Sequence, residues 1–271
     1  MSKKFQSNSN LLIKVINDLS DFMPYLVIVG GWVPYIYAKY IWKNVPNMAV
    51  TTGDIDFGVG AQDFKGKDTV SSRVKRLGYG ERHVSMDRPF PFVPIVKDAA
   101  GDVKAEVEFI TDPKISKDAV NKIMGTAIKI NEIKYFGLLL SSVITAKMED
   151  KDIRMPTESM FTFHKMLTFI DRQNMEKLRK DLYYVYYMLR FSFGRAQLAD
   201  DVVDLIKKLK EGKKVKQNLD QYFNKVDAKG PLYVKDENGP DTYIDDVRQD
   251  AFEKFNEIRR RACPVRDDES R

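Results

Sequence analysis

Two short stretches alternate acidic and apolar residues, DIDFGV at 54–59 and AEVEFI at 105–110. In an extended chain successive side chains leave opposite faces of the sheet. Asp54 and Asp56 therefore share one face, while Ile55 and Phe57 point the other way, into a core. Glu106 and Glu108 are placed in the same way against Val107 and Phe109. Both segments read as strands with one apolar and one polar face. Carboxylates gathered on one sheet face repel each other unless something neutralises them, and a divalent cation does this well. The competing reading is a solvated acid pair at a strand edge.

The segments around these strands set the organisation. NSNLLIKVINDLSDFM has helical apolar spacing, with Ser9 or Asn10 as the N-cap. YLVIVG, residues 25–30, is a short β-branched run ended by glycine and reads as a buried strand. WVPYIYAKYIWKN follows as a helix, with Pro34 in its first turn. Gly30-Gly31 thus closes a strand and opens a helix. That is either a plain turn or a place where backbone N–H groups approach a phosphate. KDTVSSRVKRLGY reads as an exposed helix closed by Gly78, and FPFVPIVKD pairs with VKAEVEFITD through the turn DAAGD. IKINEIKYF looks like a hairpin around Asn131-Glu132, and the segment 134–155 reads as further strands or a connecting helix, with IRMP favouring strands. From about Pro156 the pattern becomes helical through four periodic stretches, a loop at KGPLYVKDENGPDTY and a last helix. Strands come early and helices late, so the expected class is α+β, with a domain at 1–155 and a helical domain at 156–271.

The supply of metal-binding side chains narrows the chemistry. Cys263 is the single cysteine, and His83 and His164 are the two histidines, far apart in sequence. A metal would then be held by carboxylates, which suits a hard cation such as Mg²⁺. No run of 18 apolar residues is present and no signal-like segment stands at the N-terminus, so a cytoplasmic protein without a membrane partner is expected. A net charge of +6 and basic runs at 207–216 and 259–266 allow a nucleic-acid partner; solvated helix ends are the better account of each run taken alone.

In order, these features are a glycine pair at a strand end, a helix, an Asp-x-Asp strand and an acidic strand. That order resembles the DNA polymerase beta-type nucleotidyltransferase superfamily. The resemblance implies that Gly30 and Gly31 seat the triphosphate and that Asp54 and Asp56 bind Mg²⁺. It implies a third carboxylate that joins the metal ligands and helps activate the attacking hydroxyl. Glu108 is the closer match, since VEFIT is similar to the family's third strand; Glu106 is the alternative. Gly31 stands where the family often has serine, and the interval KNVPNMAVTTG is longer than in minimal members.

The segment PTESMFTFHKMLTFIDRQNMEKLRKDLYYVYYML, residues 156–189, resembles the region after the catalytic domain in abortive-infection nucleotidyltransferases of the AbiEii type. The matching functional residues are Lys165 and Asp181. Arg172 lies seven positions after Lys165, two helical turns on. Lys165 and Arg172 would hold nucleotide phosphates, with Asp181 orienting Lys165 or touching base, sugar or metal. The neighbouring tyrosines read as core packing. The activity so implied is transfer of a nucleoside monophosphate from a nucleoside triphosphate to a hydroxyl on RNA (tRNA) or protein. A toxin role with a cognate antitoxin would follow. The alternatives are modification of a small-molecule antibiotic and a non-catalytic nucleotide- or RNA-binding module.

Overall fold

The computed structural model describes residues 3–43, 45, 52–61, 63–85, 91–98, 100–238 and 246–262. Most of the interval 43–53, the end of the 229–243 segment and Cys263 with the tail after it lie outside them. The chain divides into two units, Met1–Ile41 with Val50–Pro156, and Trp42–Ala49 with Thr157–Arg271.

The first unit is built on a mixed sheet. In chain order it contains α1 (Lys3–Asp18), β1 (Leu26–Val29), α2 (Trp32–Ile36), β2 (Ile55–Val59), α3 (Val70–Arg76), β3 (Gly80–His83), β4 (Phe92–Lys97), β5 (Val103–Thr111), α4 (Lys117–Met124), β6 (Ile130–Glu132), α5 (Phe136–Ser141), β7 (Val143–Met148) and β8 (Lys151–Pro156). The strand order is β1-β2-β5-β4-β3, with β6 pairing the C-terminal half of β5. β1 is antiparallel to β2, β2 is parallel to β5, and β4 is antiparallel to both β5 and β3. β7 and β8 form a separate antiparallel hairpin.

The period-2 alternation places the core as the sequence predicts. Ala105, Val107 and Phe109 of β5 are buried, while Glu106 and Glu108 between them are half-exposed. Phe57 and Phe109 stack with ring centroids 5.9 Å apart on the apolar side of the β2–β5 pair. At the end of β5 the buried Asp112 accepts hydrogen bonds from Lys114 N at 2.9 Å and Gly137 N at 2.7 Å. One carboxylate so fixes both the turn after β5 and the start of α5.

Three local expectations differ. α1 starts at Lys3, so Ser9 and Asn10 lie within it instead of capping it. IKINEIKYF is not a hairpin: β6 runs parallel to β5, Phe109 opposite Ile130. Its Asn131-Glu132 belongs to the strand and not to a turn. The following apolar run is α5 first and then the β7–β8 hairpin, because Phe136 and Leu139 are buried at helical spacing.

The second unit is helical: α6 (Glu158–Thr168), α7 (Met175–Phe191), α8 (Arg195–Lys208), α9 (Gly212–Tyr222), α10 (Lys229–Asn238) and α11 (Val247–Ala262). Side chains bound the first two. Thr157 caps α6 by accepting from Met160 N, and Asn174 caps α7 by accepting from Glu176 N and Lys177 N. Every residue of α6 from Met160 to Thr168 is buried, which makes it the central helix of its unit. Tyr183, Tyr184, Tyr186 and Tyr187 are all buried, so the tyrosine cluster is core packing. Asn218 of α9 donates to the Met166 and Leu167 carbonyls at 2.9 and 3.2 Å, satisfying the C-terminal end of α6. The expected loop at KGPLYVKDEN is α10. Gly230-Pro231 opens the helix instead of breaking it, since proline is tolerated in a first turn. A Cβ on Gly230 would stand 2.5 Å from the Phe223 ring, so that glycine is there for close packing. Among the described residues no helix is long and apolar enough to cross a membrane. The protein is α+β, a mixed sheet with flanking helices followed by a helical region.

Candidate active site

The acid face of the first unit is assembled by strand register. β2 and β5 pair in parallel with Asp56 opposite Glu108. Residues paired across neighbouring strands share a face at a backbone spacing of about 4.8 Å, so these two carboxylates are neighbours. Glu106 is opposite Ile95 of β4 on the far edge of β5, and its carboxylate is taken by Arg82. Asp54 lies one residue before β2, at a bend.

The backbone of Asp54 is fixed by two donors. The Trp32 indole Nε1–H donates to the Asp54 carbonyl at 2.9 Å, and the Thr52 hydroxyl donates to the same oxygen at 2.8 Å. Trp32 is only 1% exposed, so its N–H has to find its partner within the protein. A tryptophan directly after Gly30-Gly31 is the signal that sequence reading passes over. It ties the start of α2 to the segment that carries the acids.

Gly30 and Gly31 differ in role. Gly30 has φ +69°, the left-handed region that glycine enters readily. A Cβ there would lie 2.1 Å from Asp56 Oδ2 and 3.0 Å from its carboxyl carbon. The Asp56 carboxylate thus sits directly against the glycine backbone, because β1 pairs Val29 with Asp56. Gly31 has φ −70° and ψ −11°, ordinary helical geometry at the start of α2. Gly30→Ala is expected to destabilise the protein by roughly 1–3 kcal/mol. It should also lower any activity that depends on Asp56, since the methyl and the carboxylate cannot share one place. Thermal melts and rate measurements on the same preparation check this.

The acids suit a hard cation by donor chemistry: they offer carboxylate oxygens, with Asp56 and Glu108 adjacent and Asp54 two residues away. As the side chains stand, no three His, Cys, Asp or Glu among the described residues are grouped closely enough to hold a metal ion. Asn131 of β6 approaches Glu108 Oε2 at 3.5 Å, at the long limit of a hydrogen bond.

The basic residues expected from the sequence lie in the second unit and converge on one acid. Asp181 of α7 is buried. It accepts from Lys165 Nζ through Oδ1 and from Arg172 Nε through Oδ2, the latter at 2.8 Å. Burial works to raise the Asp181 pKa, but the charges of Lys165 and Arg172 and their hydrogen bonds outweigh it and hold the carboxyl below its ordinary value. Lys165 is 7% exposed, and its ammonium lies 5.9 Å from the centroids of the Phe161 and Tyr184 rings. Arg172 does not continue the Lys165 helix for two turns. α6 ends at Thr168, and Arg172 follows a short 3₁₀ turn in extended geometry. Lys165 and Arg172 meet through Asp181 and not through helical spacing.

No family model matches the chain, and none of the curated proteins matches it. Among solved structures it is similar to an antigenic nucleotidyltransferase-like protein from Paracoccidioides brasiliensis. The sequence identity is 14% and the TM-score 0.42, covering 78% of this chain and 93% of that one.

Proposed function

We propose that the protein is a Mg²⁺-dependent nucleotidyltransferase that moves a nucleoside monophosphate from a nucleoside triphosphate to a hydroxyl acceptor. The observation that carries this reading is the acid face itself. Asp56 stands opposite Glu108 on a parallel strand pair, with Asp54 two residues away and a left-handed glycine packed against the Asp56 carboxylate. Carboxylates built into neighbouring strands, with core on the reverse side, are held close despite their repulsion. Such an arrangement is stabilised by a bound cation.

Asp54 and Asp56 would hold the cation, which when bound offsets charge on the phosphate oxygens and polarises them. Glu108, opposite Asp56, would accept the proton of the attacking hydroxyl. Gly30, whose missing side chain makes room for the Asp56 carboxylate, and Gly31 would offer backbone N–H groups to a phosphate. Trp32 and Thr52 hold the Asp54 carbonyl and so limit the bend that carries that ligand. Positioning and electrostatics would carry the rate, with no covalent enzyme intermediate. For Lys165 and Arg172 of the helical unit the proposed role is binding of phosphate, with Asp181 orienting both.

The acceptor is proposed to be a macromolecule, tRNA or another RNA or a protein hydroxyl. The role is that of an AbiEii-like toxin with a cognate antitoxin, acting in the cytoplasm. The net charge of +6 supports a polyanionic acceptor. The test is incubation with each labelled nucleoside triphosphate, Mg²⁺ and total RNA or lysate. Label in RNA that declines as salt is raised supports the RNA acceptor; label in protein supports the other. No transfer to any acceptor by folded protein sinks the reading.

A further inference from the structure

Arg82 and Glu106 lie on the acid face and are used neither by the core nor by the paired carboxylates. β3 and β5 are separated by β4, so the Arg82 side chain spans two inter-strand steps, roughly 10 Å. It reaches Glu106 as a fork, Nε to Oε1 at 2.7 Å and Nη2 to Oε2 at 2.5 Å. Register puts it on the correct side: Arg82 pairs with Val93, Gly80 with Ile95, and Ile95 with Glu106, so all of them share the face of Glu108 and Asp56.

The fork engages two of the guanidinium's five N–H donors, and planarity fixes the direction of the others. The side chain is 45% exposed, open to a ligand from solvent. The hydrogen bond to Glu106 raises the Arg82 pKa against the opposing effect of burial, and the charges of Glu106, Glu108 and Asp54 add to the rise. Arg82 therefore lies within electrostatic reach of the acid pair. A triphosphate approaching this face meets several carboxylates. A fixed cation on the same face would offset part of that charge. A forked guanidinium is shaped to bind phosphate oxygens, which a solvated lysine is not.

We propose that Arg82 binds a phosphate of the nucleoside triphosphate, and that Glu106 is its positioning residue and not a metal ligand. This rests on the nucleotidyl-transfer reading above. It gives the two glutamates of β5 different duties: Glu108 faces Asp56, and Glu106 holds Arg82.

The test is equilibrium binding of each radiolabelled nucleoside triphosphate with Ca²⁺ replacing Mg²⁺, together with the metal dependence of transfer. Arg82→Gln is expected to raise the nucleotide Kd about tenfold or more, with the metal half-saturation point unchanged. Arg82→Lys, which keeps the charge but loses the fork, should fall between. Glu106→Gln should weaken nucleotide binding by a factor of about three to ten, since the fork is loosened but Arg82 remains. Circular dichroism and melting of each variant check the fold of this edge strand. Unchanged nucleotide binding in Arg82→Gln, beside a wild type that binds, overturns the proposal and leaves nucleotidyl transfer standing. Tighter metal binding with unchanged nucleotide Kd overturns it as well, because Arg82 then only screens the acids. A wild type that binds no nucleoside triphosphate overturns both.

Discussion

Asp56→Asn is expected to lower nucleotidyl transfer by a factor on the order of 10²–10³ or more while leaving the fold intact. Asparagine has nearly the shape of aspartate, so the contact with the Gly30 backbone and the pairing with Val29 and Glu108 are kept. What is lost is one negative charge at the place where a hard cation would be bound. Stability should be unchanged or slightly higher, because Asp56 and Glu108 no longer repel each other across the strand pair. Loss of rate with equal or raised melting temperature is the signature of a group retained for chemistry. Initial rates of label transfer and thermal melts of the same preparations supply both readouts. A variant that transfers label as fast as the wild type would remove Asp56 from the mechanism.

Asp181→Ala should be the most destabilising change in the helical unit, about 3 kcal/mol or more. Asp181 is buried between Lys165 and Arg172. Its removal takes the carboxylate from an ammonium that is itself buried, whereas Arg172, about a third exposed, can turn toward water. Denaturant unfolding followed by circular dichroism measures the loss. The pH dependence has a fixed sign. The folded-state pKa of Asp181 lies below the ordinary value of about 3.9. Its contribution is therefore fully present above that value and is lost as pH falls toward the lower folded-state pKa. Asp181→Asn should flatten the decline in stability over that acid window. Lys165→Met combined with Asp181→Leu separates structure from chemistry: recovered stability without transfer shows that the pair acts on substrate, and recovered transfer shows that it only packs.

Much of the architecture was legible from local pattern. Alternation of acid and apolar residues in 54–59 and 105–110 marked β2 and β5 and told which face would be core, because the period of an extended chain is fixed at two. Helical spacing marked α6 to α9, and Thr157 and Asn174, which cap α6 and α7, are ordinary cap residues. The tyrosine cluster read correctly as core for the same reason. α10 was missed because Gly230-Pro231 is a loop signal locally, and its actual use, close approach to Phe223, is a contact across the sequence.

The sequence by itself determined that this chain forms an α+β protein with acids on one sheet face, since periodicity and residue type are local properties. It did not determine which acids meet. Register decides that: the parallel pairing of β2 with β5 sets Asp56 beside Glu108, and the antiparallel neighbours β4 and β3 bring Arg82 to Glu106. The Trp32 indole on the Asp54 carbonyl and the two cations on Asp181 are likewise pairings between distant segments. A side chain's face follows from its own strand or helix. Its partner depends on how another segment docks, and only the folded chain settles that by burying the apolar faces together.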